Sequence, residues 1–461
     1  MPCSTNNASN RSGWVVLVIF LILASAATAE DGPLNSRVDA YIQPYVATNN
    51  FSGVVLIARD GRVLVNRAYG KADRERDIAN QLNTRFHIAS ISKSFTAAAI
   101  LLLEQRGHLT VNDPLSKFIP DYPDGNKITV HQLLSHRSGI VNANNLPEYT
   151  QKSKSRISLN DVIAMFENKP LAFDPGSKFQ YSNSNYNLLA YIIEKVSGET
   201  YGDFLQKNIF KPLDMRDTAD DTGADKLTAN QASGYVPEGM NAVRPAPELN
   251  WSIKRGNGSL YSTAADLYKW SRALYTDTIL NRTERQKMFS DYGGFGYGWF
   301  VRPQAGREAS VINGRSPGFT ASLLRFVNDD TCVILLANTY SGITQSMADD
   351  LASIVFGETR PTLQPSPRLP RTVLNEFGGQ YEFGPDFTFN PGATATIGIH
   401  GDDVAMTIGG DDTYLIAQPG GKFLDRLYGG TVEFLRDAGG KVSSLTWSFG
   451  QPFTAKRVKD K

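Results

Sequence analysis

Apolar residues in this chain fall into two patterns, dense short runs and longer helical stretches. Val54-Val55-Leu56-Ile57-Ala58 is apolar throughout, and Asp60-Gly61 separates it from Val63-Leu64-Val65. Two such runs around an Asp-Gly pair predict a β-hairpin. Val38 to Ala47, just before it, predicts a helix. From Ser90 to near Gly107 the chain is almost wholly apolar, with Ala97, Ala98, Ala99, Ile100, Leu101 and Leu102 in unbroken succession. At that length the run reads as a buried helix. Thr129-Val130-His131-Gln132 has the spacing of a capping box, and Ser158 to Asp161 repeats that spacing before another apolar run. Tyr186 to Val196 predicts a helix stopped by Ser197-Gly198, and Thr263 opens one running through Leu274.

Beyond Ala321 the pattern changes to strands. Ala321 to Val327 and Thr331 to Ala337 flank a turn at Asn328-Asp329-Asp330, and Ile343 to Phe356 predicts a closing helix. Strands at both ends with helices between imply one antiparallel sheet assembled from both ends of this region. Helices flank it, and a mostly helical insertion fills the middle. Residues 359–371 carry Pro361, Pro365, Pro367 and Pro370 and read as a stiff linker. Past them, runs such as Ala393 to Ile399, Val404 to Ile408, Tyr414 to Ala417 and Val432 to Arg436 alternate with glycine pairs. That spacing predicts a small β-barrel or sandwich over 372–461. The fold class expected is therefore mixed α/β (α+β), with a small β-barrel after it.

Composition narrows the possibilities. The 461 residues are 41% hydrophobic and 20% charged, ordinary for a globular protein of two or three domains. Trp14 to Ala24 is a short apolar run after Arg11, followed by Ala27-Thr28-Ala29, so residues 1–29 read as a signal peptide cleaved before Glu30. No other segment is long enough to span a membrane, so no stable span is expected after cleavage. The mature chain is expected to be periplasmic or secreted. Loss of Arg11 from the 47 basic residues leaves 46 against 46 acidic, which argues against a nucleic-acid partner. Cys3 leaves with the signal, so Cys332, in an apolar run, reads as a buried core residue with no disulfide partner. The chemistry calls for no cofactor.

Ser90 and Lys93 are the strongest chemical signal. Three apart on a helix, their side chains share a face, and an amine in a dry core can activate a hydroxyl. Histidine offers little competition as a base. His131 and His136 flank Leu133-Leu134 and look structural, His108 and His400 sit beside glycines in turns, and His87 reads as a packed side chain. There is no Gly-x-Ser-x-Gly elbow and no His-Glu-x-x-His or cysteine cluster, so an α/β-hydrolase and a metal site are both disfavoured. Burial lowers a lysine's pKa, and a neighbouring ammonium lowers a tyrosine's. Tyr181, in Tyr181-Ser182-Asn183 after a Gly/Ser-rich loop, is the matching candidate.

Three ordered fragments, Ser90-Ile91-Ser92-Lys93, Leu133-Leu134-Ser135-His136-Arg137-Ser138-Gly139 and Tyr181-Ser182-Asn183, resemble the serine β-lactamase and DD-peptidase superfamily. The resemblance is strongest to class C β-lactamases and the related esterases and D-amino-acid peptidases. Phe210 to Met215, Ser262 to Leu267, Tyr297-Gly298-Trp299 and Pro317-Gly318-Phe319 add to it, so that it covers about 35–357. It implies an acyl-enzyme on Ser90, proton handling by Lys93 and Tyr181, and substrate hydrogen bonding by Asn183.

The third family motif is altered. Where the family carries Lys-Thr-Gly or His-x-Gly on the strand edging the cleft, this chain has Ile312-Asn313-Gly314, followed by Arg315. The resemblance assigns Asn313, Gly314 and Arg315 to substrate binding, and gives the backbone N–H groups of Ser90 and Arg315 to an oxyanion hole. Arg315 could supply the missing charge, although its setting reads as a solvated surface arginine. Glu376 to Glu382 resembles the start of the lipocalin-like domain found after some family members. The reaction expected is cleavage of an ester or amide bond, including D-amino-acid peptides, in a small-molecule or peptide substrate. A true β-lactamase or DD-carboxypeptidase, and a catalytically silent binding homologue, are the alternatives. The oligomeric state is left open.

Overall fold

The computed structural model describes residues 31–221, 230–364, 369–387, 392–449 and 451–458. The expected signal peptide lies outside the described residues, and so does part of the expected linker. Among the described residues no helix is long and apolar enough to cross a membrane.

Helix α1 (Asp31–Ala47) leads into strands β1 (Gly53–Arg59) and β2 (Arg62–Tyr69). Asp60 and Gly61 between them have φ of 50° and 72°, the two left-handed positions that a tight hairpin turn requires. Strands β3 (Phe300–Gln304), β4 (Arg307–Ser316), β5 (Phe319–Phe326) and β6 (Thr331–Ala337) complete a six-stranded sheet of order β3-β4-β5-β6-β1-β2. Every pairing is antiparallel, and β1 joins β6 with Gly53 opposite Ala337. The two ends of this region thus meet in mid-sheet, as the run pattern implies.

Alternation divides the side chains between two cores. Val54, Leu56 and Ala58 of β1, with Ile334 and Leu336 of β6, face the helical region. That region holds α2 (Ser92–Gln105), α3 (Asn183–Ser197) and α4 (Ala264–Ala273). Val55 and Ile57, with Val333 and Leu335, face α1 and α5 (Ile343–Val355). Helix α2 is buried from Ser92 to Leu103, as its all-round apolar character demands. The caps form as their spacing implies. Thr129 and Gln132 close a full capping box, Ser158 and Thr263 cap their helices, and Gly198 ends α3 in the left-handed conformation. Cys332 is buried in β6 and burial raises its thiol to about 11, which keeps it an unreactive core residue.

Two expectations need correction. Strands β3 and β4 precede the point where the apolar pattern turns to strands, because β4 carries Arg307, Glu308, Ser310, Asn313 and Arg315 among its ten residues. The second concerns Ser90. It lies in a 3-10 turn (Ala89–Ile91) rather than on the helix, which begins at Ser92.

After a short helix (Arg371–Phe377), eight strands form a closed up-and-down barrel. They are β7 (Gly379–Phe383), β8 (Thr394–His400), β9 (Asp403–Ile408), β10 (Asp411–Gln418), β11 (Lys422–Asp425), β12 (Thr431–Arg436), β13 (Val442–Ser448) and β14 (Pro452–Arg457). The barrel has its own core, which includes Tyr381, Phe383, Met406 and Leu445. It docks through the β11–β12 loop. Arg426 is fully buried and donates to Asn50 Oδ1 (2.6 Å), Asn49 O (3.1 Å), Gly239 O (2.5 Å) and Ala242 O (2.8 Å) of the first domain.

Candidate active site

The 3-10 turn holds Ser90 at the mouth of the helical core. Its neighbour Ala89 has φ of 46°, a left-handed conformation that costs a residue with a Cβ about 1–2 kcal/mol. Such strain gathers at functional sites. Ser90 is partly accessible, whereas Lys93, one turn later, is 1% exposed.

Lys93 Nζ lies 3.0 Å from Ser90 Oγ, 2.8 Å from Asn183 Oδ1 and 2.7 Å from the carbonyl oxygen of Asn257. Burial, and then the charge of Lys254, hold the Lys93 amine well below its usual range. A neutral amine has two N–H bonds and one lone pair. Asn183 Oδ1 and Asn257 O can only accept, so they take both N–H bonds. In that neutral form the lone pair is left for the O–H of Ser90.

Tyr181 O–H donates to Ser90 Oγ at 2.9 Å. Its ring lies 4.3 Å from that of His136, centroid to centroid, and Lys93 Nζ sits 5.0 Å from its own centroid. Burial raises the Tyr181 phenol, and the bond to Ser90 lowers it less. A tyrosine with a depressed pKa is therefore not what forms here. The expected lowering needs a charged ammonium, and the same burial disfavours the charged form of Lys93.

Asn183 joins Lys93 to a second loop. Its Nδ2 donates to Asn144 Oδ1 at 3.0 Å, and its backbone N–H donates to Asn142 Oδ1 at 3.1 Å. Sequence reasoning missed Asn142, Asn144, Asn257 and Lys254. Asn257 acts through a backbone carbonyl, which leaves no side-chain signal. His136 is fully buried, and its Nδ1 accepts the N–H of Ser182 at 3.2 Å. It is structural as read, but what it supports is Tyr181.

Strand β4 closes the other side. Pairing with β3 runs from Arg307 to Val311, so the edge of β4 from Ile312 to Ser316 is open to the cleft. A Cβ on Gly314 would lie 2.1 Å from Ile88 O and 3.0 Å from Ser90 N, so only glycine lets this strand reach the nucleophile's backbone. Ile312 is 3% exposed and packs into the core on the Ser90 side. Asn313 and Arg315 alternate onto the opposite face. The Arg315 guanidinium is held there, donating to Leu427 O of the barrel at 2.7 Å and lying 4.5 Å from the Tyr340 ring centroid. It is neither a free surface arginine nor a replacement for the missing cation over the cleft.

A hydroxyl between a buried amine and a phenol, beneath an open strand edge, is the constellation of a serine hydrolase. Residues 38–358 match the Beta-lactamase family model, and the chain belongs to that family. It is 35% identical over 300 residues to PbpX of Bacillus subtilis (strain 168), covering 64% of this chain and 73% of that protein. The D-amino acid amidase from Ochrobactrum anthropi SV3 superposes with a TM-score of 0.62 at 25% identity, over 70% of this chain and 96% of the amidase. The octameric penicillin-binding protein homologue from Pyrococcus abyssi shares the fold across 91% of this chain and 99% of its own, with a TM-score of 0.64 at 23% identity.

Proposed function

We propose that this protein is an exported serine hydrolase, periplasmic or secreted, that cleaves an ester or amide bond through an acyl-enzyme on Ser90. The observation that carries this reading is the set of three contacts at Lys93 Nζ. Two acceptor-only oxygens orient the amine so that its lone pair meets the Ser90 hydroxyl. Lys93 takes the Ser90 proton as Oγ bonds to the substrate carbonyl carbon. Tyr181, held protonated by burial, donates toward Oγ and is placed to pass a proton to the departing alcohol or amine. Water then cleaves the acyl-enzyme by the same proton path in reverse. Backbone N–H groups of Ser90 and Arg315 would receive the oxyanion; they need no particular side chain, so the altered third motif does not remove them.

The substrate side of the reading rests on Ile312 and Arg315. No cation stands at Ile312 to bind a substrate carboxylate, and Arg315 is committed to the barrel. An ester, an amide or a D-amino-acid peptide whose carboxylate is blocked or lies away from the cleft therefore fits better than a β-lactam. The likeness to the amidase adds weight to the amide branch. The test is to incubate the pure protein with a fluorophosphonate and determine its mass, alongside turnover of a p-nitrophenyl ester. A single adduct on Ser90 with turnover is expected. No adduct and no turnover would overturn the enzyme reading of this site.

A further inference from the structure

Behind the catalytic strand, between the hydrolase domain and the barrel, lies a cavity of about 1080 Å³. It contains none of Ser90, Lys93 or Tyr181. Arg302 alternates with Phe300 toward the α1/α5 core, Arg315 alternates away from Gly314, and Asp349 lies on α5. The cavity is thus on the opposite face of the sheet from the nucleophile. Its barrel wall is aromatic and continuous. The Trp447 ring lies 4.6 Å from Phe449, 5.5 Å from Tyr428 and 6.0 Å from Phe387, centroid to centroid.

We propose that this cavity is a second ligand site, built for a short zwitterionic peptide with an apolar side chain. Both charges are provided for. Arg302 and Asp349 both line the cavity, and among the described residues neither is in an ion pair within 4.0 Å, the Asp349 carboxylate having Gln304 as a hydrogen-bond partner and Arg302 as a nearby charge. A ligand carrying only one charge would engage one of these groups and leave the other facing the cavity without an ion-pair partner. A ligand with a carboxylate for Arg302 and an ammonium for Asp349 pairs both. Burial has pushed the Asp349 carboxyl up to about 6, with Arg302 opposing, and an ammonium beside it would lower it again and favour the charged form. The aromatic wall receives the apolar side chain, and the volume suits two or three residues.

The site is independent of the chemistry proposed for Ser90, and its test is too. Calorimetric titration of the full-length Ser90→Ala protein with alanyl-phenylalanine should show one-site binding. The N-acetyl and C-terminal amide analogues, each lacking one charge, should bind at least about tenfold more weakly. Arg302→Gln and Phe449→Ala, each in the Ser90→Ala background, should weaken the dipeptide by a similar factor. Arg302→Gln alone should leave fluorophosphonate labelling of Ser90 at the parent rate. No binding at millimolar dipeptide, or binding indifferent to Arg302→Gln, overturns the proposal. So does equal binding of all three ligands. A protein that binds the dipeptide as expected but takes no label would overturn the Ser90 reading alone.

Discussion

Replacing Lys93 by methionine removes the amine while keeping the length of the side chain, and the structure says what that should cost. The rate effect comes from losing the amine 3.0 Å from Ser90 Oγ that serves as the base, Tyr181 being a donor there. General-base catalysis contributes about 10²–10⁴-fold, so fluorophosphonate labelling and ester turnover should fall by that range. The stability effect has opposing parts. Asn183 Oδ1 and Asn257 O each lose a donor, at about 1–3 kcal/mol for a buried acceptor. Against this, methionine ends the desolvation of an amine. Because the folded pKa of Lys93 lies below its unfolded value of 10.5, the unfolded chain binds the extra proton between the two. The parent protein should therefore gain stability as pH rises through that window, and the variant should lose that slope. Kinetically, kcat/KM should fall as pH drops through the depressed pKa, because the base must be neutral. Labelling by intact mass, a pH profile with a p-nitrophenyl ester and thermal melts read these effects. A folded variant that labels within about tenfold of the parent rate, or a parent acid limb near 10.5, would refute the neutral-lysine argument.

Tyr181→Phe keeps the ring against His136 but removes the donor to Ser90 Oγ, so kcat should drop by about 10²-fold with little change in melting temperature. Equal activity in that variant would remove Tyr181 from the proton path. Gly314→Ala places a Cβ 2.1 Å from Ile88 O, so overpacking should cost about 1–3 kcal/mol and labelling should slow by about 10²-fold as the Ser90 backbone shifts. Normal labelling with normal stability would show that the strand has room there. Arg426→Ala orphans the buried Asn50 Oδ1 and takes a donor from the part-buried Gly239 and Ala242 carbonyls, and should cost about 2 kcal/mol. It should also make the domain junction more open to limited proteolysis, and unchanged protease resistance would mean that the barrel is held by other contacts.

What could be read from the sequence followed from what each residue's neighbours are. Strands β1, β5 and β6 are buried on both faces, so their apolar runs announce them. Strand β4 meets a cleft along one edge and the barrel on its outer face, and neither surface is encoded nearby, so its polar residues hide it. Ser90, Lys93, Tyr181 and Asn183 stood out as an ordered set of side chains. The start of α2 did not, because Ile91 at its N-cap position makes no side-chain cap and the apolar run continues across it. Asn257 could not be found at all, since what it supplies is a carbonyl that any residue has.

The altered motif and the added barrel belong to one arrangement. Ile312 turns the cleft side of β4 apolar and joins it to the core that surrounds Lys93. A lysine or histidine there would put a second positive charge near an amine that burial and the Lys254 charge already lower. The positive charge this strand does carry, at Arg315, lies three residues on and on the other face, where the barrel holds it through Leu427 O and where Arg426 pins the same loop to Asn49 and Asn50. Moving Arg315 over the cleft would break that bond, leaving the guanidinium without its barrel partner and the Leu427 carbonyl with one donor fewer, at a cost of about 1–3 kcal/mol if either is left unsatisfied. The barrel thus holds this strand's charge on the face away from the nucleophile as well as packing beside it, which is the arrangement the proposed preference for substrates without a carboxylate rests on.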